Sequence, residues 1–293
     1  MPYKSPNLNI TTPPIAKKFK PRRVIDVNLD TCKWAWLSGA TIPPPPKAVV
    51  HGFNWQCELW MCVDVETHDL APARHERGWT EGTYGHERLK YDDDLVRNLR
   101  AVQVGWTIGY INSDDPPVTK SQVVKPDGFV ITDAVAKIHG IEHANAVAAG
   151  NDIACVLDNF LKDVQSVVNA GGRICAHQIE FDADIIDAEL YRSGFAWRDR
   201  LLWHTAVRNG LCTMNHILTS WCCDVYRRSI DQFGNGDKNR DTPCPLGAVA
   251  WTLVPPCEDL RAKQHDAGND SRVGFLVTKQ LHVLIHNVNG AMA

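Results

Sequence analysis

The sequence predicts an α/β domain in which helices cover a central sheet. Mostly apolar runs with the length of buried strands occur at Glu58–Val65 and Ala101–Tyr110. Further along the chain, segments follow in which apolar residues recur at helical spacing. Strands that alternate with helices are typical of a sheet covered by helices, so the sequence favours this class.

Three strands are predicted along the chain. Glu58–Val65 ends in acids, as expected of a buried strand whose end faces a functional site. Ala101–Tyr110 alternates loosely and predicts a second strand, and Arg173–Ala176 predicts a short third one. The charged stretch over residues 68–94 is interpreted as an inserted loop.

Three helices are predicted in the second half of the chain. The first opens at Asn151-Asp152 and ends at Gly171-Gly172, because Asp is a favoured N-cap and glycine a favoured terminator. The second covers Asp184–Arg192. The third runs from near Gly268 to about His286.

Residues 1–47 are predicted to form an extended arm, and residues 48–293 the folded domain. The arm carries the basic cluster Lys17–Arg23 and the proline run Pro43–Pro46, a composition that favours extended chain. Three interpretations of the basic cluster stay open: a solvated tail, a nuclear import signal and an arm that contacts phosphates.

Composition restricts the class of protein further. A net charge of −3 over 293 residues argues against a protein that coats nucleic acid through bulk charge. No apolar run reaches the roughly 20 residues needed to cross a bilayer, so no membrane partner is expected. Ten cysteines without the apolar core of a secretory signal predict a reducing compartment, the cytoplasm or the nucleus.

A pair of acids at the end of the first strand is the first candidate functional element. Alternation places Asp64 and Glu66 on the same face of the strand. Two adjacent carboxylates repel each other unless a cation lies between them, and oxygen ligands of this kind suit Mg²⁺ or Mn²⁺. Taken alone, the pair could equally be a solvated strand end.

Two further elements follow along the chain. The first is the segment His177–Asp182, which places an acid just past the short third strand; Asp184 and Asp187 are nearby rivals that spacing does not exclude. The second is His265 with Asp270 at the start of the last helix. Histidine ordinarily titrates near neutral pH and can accept a proton from water.

Together these three elements resemble the motifs of the DEDDh exonucleases of the DnaQ-like group, which have an RNase H-like fold with a mixed central sheet flanked by helices. That family carries Asp-x-Glu on its first strand, then His-(Asn/Gln)-x-x-Phe-Asp, then His-x4-Asp, and all three occur here in this order. The resemblance covers roughly residues 59–284. Two insertions, residues 68–94 and 221–244, depart from the simplest members of the family.

The resemblance implies an activity and a set of site residues. The activity is metal-dependent 3′→5′ hydrolysis of single-stranded or 3′-terminal DNA or RNA to nucleoside 5′-monophosphates, with two Mg²⁺ or Mn²⁺ ions. The implied metal ligands are Asp64, Glu66, Asp182 and Asp270, which leaves Asp184 and Asp187 as helix-surface residues. His265 is the implied general base, Glu66 is implied to orient the water, and Thr67, His139 and Ile141 are implied to contact the terminal nucleotide.

Rival interpretations come from other classes of protein. A catalytically idle nucleic-acid- or protein-binding module on the same fold would be expected to lose metal carboxylates, and none is substituted here. A structural zinc ion is a minor alternative, because the candidate ligands do not repeat the Cys-x2–4-Cys spacing. Those ligands are Cys212, His216, Cys222, Cys223, Cys244 and Cys257. Trp79, in the inserted loop, is a candidate for stacking on single-stranded substrate.

Overall fold

The computed structural model describes residues 57–70, 79–81, 87–89, 98–214, 246–254 and 265–290. The arm predicted over residues 1–47 and its boundary with the domain lie outside these ranges. The second insertion, residues 221–244, lies outside them as well.

A five-stranded mixed sheet organises the described part of the domain. The strands along the chain are β1 (Leu59–Thr67), β2 (Trp79–Glu81), β3 (Glu87–Leu89), β4 (Ala101–Tyr110), β5 (Val118–Val123), β6 (Arg173–Ala176) and β7 (Leu211–Cys212). The sheet has the order β5-β4-β1-β6-β7. β4 is antiparallel to both β1 and β5, whereas β6 is parallel to both β1 and β7.

Helices cover both faces of this sheet, which confirms the predicted fold class. They are α1 (Asp133–His139), α2 (His143–Ala149), α3 (Ile153–Asn169), α4 (Ile179–Arg192), α5 (Trp197–Arg208), α6 (Leu246–Leu253) and α7 (Ala267–Gly290). The apolar residues of α3, α4 and α5 pack against the β1 face that carries Met61, Val63 and Val65. α7 lies on the opposite face, against Cys62. Among the described helices, none combines the length and apolar character that a membrane crossing requires.

The structure agrees with some predicted elements and corrects others. α3 begins where predicted, because the Asp152 carboxylate accepts hydrogen bonds from the backbone N–H groups of Ala154 (2.8 Å) and Cys155 (3.3 Å). α4 begins earlier than predicted, at Ile179, since the preceding Gln178 turns the chain in a left-handed conformation (φ 75°). The inserted loop contains a short antiparallel hairpin of β2 and β3.

Glycines let α7 lie unusually close to the sheet. A Cβ atom on Gly105 would overlap the carbonyl group of Ala267, and one on Gly274 would lie 2.5 Å from the Cys62 Sγ atom. Gly105 pairs directly with Asp64 across β4 and β1. The first turn of α7 therefore lies directly beside the acidic end of β1.

A buried pair of hydroxyl groups ties the same helix to the same strand. The Oγ atom of Ser271 in α7 lies 3.0 Å from the Oγ1 atom of Thr107 in β4. Both side chains are fully buried, so each hydroxyl group needs a protein partner. This hydrogen bond holds α7 at a fixed height along β4.

Gly105→Ala is expected to lower the free energy of unfolding by about 1–3 kcal/mol, because the added methyl group overpacks the α7 contact. Urea denaturation measures the change. Gly194→Ala is the matched control: Gly194 has a left-handed φ of 75° but open space around it, so only backbone strain of about 1–2 kcal/mol is added. The backbone amides in the first turn of α7 should exchange with solvent faster in the first variant than in the second. Equal exchange at this turn in the two variants would contradict the close packing of α7 on β4.

Candidate active site

The acidic end of β1 forms the base of the candidate site. Asp64 and Glu66 alternate with buried apolar residues and share the sheet face that α7 covers. Their direct partners on β4 are Gly105 and Gln103. The register of the pairing shifts between Glu66 and Thr67, and such irregularities in a strand re-aim side chains next to functional sites.

Asp182 reaches the same strand from the first turn of α4. Its side chain is 3% exposed, and its Oδ1 atom accepts a hydrogen bond of 3.0 Å from the backbone N–H of Val65. Val65 lies between the two acids of β1. The hydrogen bond therefore fixes the Asp182 carboxylate at the point where Asp64 and Glu66 emerge.

His265 and Asp270 form one unit at the start of α7. The backbone N–H of His265 donates to Asp270 Oδ2 (2.9 Å), and His265 itself has a left-handed backbone (φ 64°) that is uncommon outside glycine. One ligand atom each of Glu66, His265 and Asp270 lies within 4.8 Å of the other two. The structure thus brings these three predicted residues together, with His265 exposed to solvent.

Burial, followed by repulsion between the carboxylates, raises the pKa values of three acids in this cluster. Burial raises the pKa of Glu66 to about 7, and the charges of Asp270 and Asp266 add to the effect. Burial, followed by the charges of Asp182 and Glu66, raises the pKa of Asp64 well above its usual range. Burial and Glu66 likewise raise the pKa of Asp182, although the hydrogen bond from Val65 opposes them.

Such a cluster fits a site for hard divalent cations. Bringing carboxylates together out of water is unfavourable for their charged forms, and a cation between them reverses that preference. Carboxylate oxygens are the protein ligands that Mg²⁺ and Mn²⁺ prefer. Asp64, Glu66, Asp182 and Asp270 are the residues that could hold the ions.

The residues predicted to contact a nucleotide border this cluster. Burial is the main cause that lowers the pKa of His139; the nearby Thr67 carbonyl opposes it and the His265 charge adds to it. His139 Nδ1 accepts a hydrogen bond from the backbone N–H of Ile141 (3.0 Å). Thr67 is buried, and its hydroxyl group donates to the Asp69 carbonyl (2.9 Å). Their contact with a nucleotide stays a prediction.

Asp187 differs from the solvated helix-surface residue that the sequence suggested. It accepts two hydrogen bonds of 2.8 Å from Arg200 and lies 3.1 Å from His204 Nε2, which joins α4 to α5. Burial alone would raise the pKa of Asp187, but the bonds from His204 and Arg200 lower it to about 2. Asp187 therefore forms an ion pair with Arg200 that joins α4 to α5.

The candidate zinc ligands and Trp79 lie only partly within the residues that the structure describes. Cys212 lies buried in β7, and the remaining five candidate zinc ligands lie outside the described residues. Trp79 lies in β2. Both the zinc site and the stacking role of Trp79 therefore stay predictions.

Two polar residues at the site were missed by the sequence reasoning. Asp266 caps α7, since its Oδ1 atom accepts a hydrogen bond from the backbone N–H of Asn269 (2.9 Å). Gln103 is 5% exposed and contacts Asp266 through its amide group (3.1 Å). A glutamine inside the apolar run Ala101–Tyr110 was an available signal, because a buried amide requires partners.

Comparison with known proteins supports the fold. No protein-family model matches the sequence, and no curated protein matches it. E. coli exonuclease I in complex with a dT13 oligonucleotide is 15% identical, with a TM-score of 0.53 over 80% of this chain and 43% of that chain. The complex with a dA16 oligonucleotide is 16% identical, with a TM-score of 0.51 over 80% and 42%.

The chain therefore shares the fold of these exonuclease I chains, and the predicted mixed sheet flanked by helices is confirmed. An apo structure of exonuclease I gives the same result, with 15% identity and a TM-score of 0.50 over 80% of this chain and 45% of that chain. The chain spans less than half the length of these solved chains.

Glu66→Gln is expected to stabilise the metal-free protein at pH 8. Protonated Glu66 contributes stability that is fully present below its usual pKa of 4.5 and is lost as the pH rises through its folded-state pKa of about 7. The neutral glutamine does not become charged, so at pH 8 the variant should have a free energy of unfolding up to about 3 kcal/mol higher than the wild-type protein. Melting temperatures in EDTA at pH 8 and pH 4.5 measure the effect, which should vanish at the lower pH.

Glu142→Gln is the control for this prediction. Glu142 is an exposed residue at the N-cap of α2 and makes no side-chain capping hydrogen bond. Its replacement should leave the melting temperature unchanged at both pH values. A lower melting temperature of Glu66→Gln at pH 8 would show that burial and the neighbouring charges do not disfavour the charged form of Glu66.

Proposed function

We propose that this protein is a metal-dependent 3′→5′ exonuclease that hydrolyses phosphodiester bonds of DNA or RNA and releases nucleoside 5′-monophosphates. The observation that supports this most strongly is the approach of Glu66, His265 and Asp270 to within 4.8 Å, beside two further carboxylates, in an exonuclease fold. The direction and the products follow from the motif resemblance. Single-stranded or 3′-terminal nucleic acid is the proposed substrate, and the oligonucleotide complexes of exonuclease I support this class.

The four carboxylates Asp64, Glu66, Asp182 and Asp270 are proposed to hold two Mg²⁺ or Mn²⁺ ions. When bound, these ions supply the positive charge that neutralises the phosphate group and lowers the pKa of water. The raised pKa values of Asp64, Glu66 and Asp182 support the assignment, because charged carboxylates at these positions require a compensating cation.

His265 is proposed as the general base. Its exposed imidazole can accept the proton of the attacking water, and the bond from its backbone N–H to Asp270 holds the His265 backbone next to a proposed metal ligand. Glu66, within 4.8 Å of the same atoms, is proposed to orient that water. As the water oxygen bonds to phosphorus, the bond between phosphorus and the 3′-oxygen breaks, and the 3′-oxygen takes a proton from solvent water to leave as a hydroxyl group.

Thr67, His139 and Ile141 are proposed to contact the terminal nucleotide. His139 lies near both Thr67 and His265, and its Nδ1 atom accepts a hydrogen bond from the Ile141 N–H just beyond the end of α1. A terminal nucleotide whose scissile phosphate lies at the carboxylates would contact these three residues.

Asp64→Ala and Asp270→Ala are each expected to abolish cleavage, because each removes a proposed metal ligand. His265→Ala should reduce kcat by about 10²–10⁴-fold, the usual contribution of a general base, with a smaller effect on metal affinity. The measurement is the release of mononucleotides from 3′-labelled and 5′-labelled single-stranded DNA and RNA, with Mg²⁺, Mn²⁺ or EDTA.

Asp184→Asn is the matched control, since Asp184 lies on α4 two positions beyond Asp182 and should be dispensable for cleavage. Wild-type rates in purified, folded Asp64→Ala would refute the assignment of the site. Binding of either polymer by the wild-type protein without any cleavage would favour the catalytically idle module instead.

A further inference from the structure

We propose that Gln103 is a positioning residue that holds the segment from His265 to Asp270 against Glu66. The inference rests on the proposed function, because it assigns Gln103 a role within the same site. Gln103 is not one of the proposed metal ligands; it acts through the backbone and side chain of the residues that follow His265.

The position of Gln103 in the sheet places it beside the cluster. It lies directly opposite Glu66 in the antiparallel pairing of β4 and β1, and directly opposed residues point to the same face. That face is the one that α7 covers. With 5% of its side chain exposed, the amide of Gln103 must find its partners within the protein.

The amide is bonded at both ends. The Nε2 group donates to Ser121 Oγ (2.8 Å) and to Asp266 Oδ2 (3.1 Å). The Oε1 atom accepts from the backbone N–H of Ala267 (3.0 Å). Two donor hydrogens and one acceptor are all used, so only one orientation of the amide satisfies the three partners.

These bonds hold the two residues that directly follow His265. His265 has a left-handed backbone, which costs energy in a residue with a side chain and persists only when its surroundings impose it. Gln103 fixes Asp266 and Ala267 on one side, and Asp270 binds the His265 N–H on the other. The amide of Gln103 thereby sets where His265 and Asp270 stand relative to Glu66.

Gln103→Met tests this role, because methionine has a similar length and volume but cannot make these three bonds. In metal-free protein, the Ala267 amide should exchange with solvent at least about tenfold faster by NMR, since it loses its acceptor. The Kd for Mn²⁺ should rise about 10–100-fold, as for other residues that orient metal ligands. In the cleavage assay, kcat should fall while KM changes little.

Gln165→Met is the matched control. Gln165 lies on the exposed surface of α3, where its amide donates to Asn169 (2.7 Å) on the same helix. The same chemical change at this position should leave Ala267 exchange and the Kd for Mn²⁺ unchanged. A general loss of stability would instead accelerate exchange across α3 and α7 alike.

Ser121→Ala provides a second variant that does not depend on the folding of Gln103→Met. Ser121 is exposed on β5, and its hydroxyl group is the acceptor that orients the Gln103 amide. Its loss should shift Ala267 exchange and the Kd for Mn²⁺ in the same direction by a few fold. Wild-type values of both quantities in folded Gln103→Met would overturn the proposal; if that variant does not fold, wild-type values in Ser121→Ala would do so.

The readouts separate this proposal from the proposed function. Amide exchange in the metal-free protein does not depend on turnover. A wild-type protein that cleaves no nucleic acid would refute the exonuclease proposal, while exchange at Ala267 would still decide whether Gln103 holds the start of α7.

Discussion

Burial of several carboxylates at the end of β1 is the constraint on which the arrangement of β1, α4 and the start of α7 depends. This burial, followed by the charges of neighbouring carboxylates, raises the pKa values of Asp64, Glu66 and Asp182, and Asp266 and Asp270 contribute to the negative charge around Asp64 and Glu66. These carboxylates come from β1, α4 and the start of α7, so the fold must bring three elements together against an unfavourable electrostatic term. A divalent cation bound between these carboxylates would offset their repulsion.

The remainder of the fold supplies the opposing forces. On one face of the sheet, aromatic rings of Trp106, Phe160 and Trp203 pack edge to face with centroid distances of 5.5 and 5.2 Å. On the other face, the close approach at Gly105 and the buried hydroxyl pair of Thr107 and Ser271 hold α7 to β4. The face covered by α3, α4 and α5 stabilises the strands through apolar packing. The face covered by α7 packs closely through glycine and hydroxyl contacts and positions the acids.

Much of this arrangement could be predicted from short-range patterns. The long strands follow from apolar runs, and α3 follows from its amphipathic spacing and the Asp152 cap. The candidate acids were found because their motifs are local: each pair or triplet lies within a few residues of sequence. The chemistry of a site that is assembled from such motifs is visible before its geometry is known.

What could not be predicted depends on contacts between distant parts of the chain. The partners of Gln103 lie on α7 and β5, and those of Asp187 lie on the next helix. The hairpin of β2 and β3 has strands of three residues, too short to show a period. The early start of α4 depends on the left-handed turn at Gln178, a conformation that residue type does not indicate.

Crystals of the wild-type protein soaked in MnCl₂ at pH 8 would show through anomalous diffraction whether the carboxylates at the end of β1 hold divalent cations. We expect two anomalous peaks among Asp64, Glu66, Asp182 and Asp270, with His265 beside them. Soaked crystals with no peak at these carboxylates, or with manganese bound only elsewhere on the protein, would contradict the assignment of this cluster as a metal site.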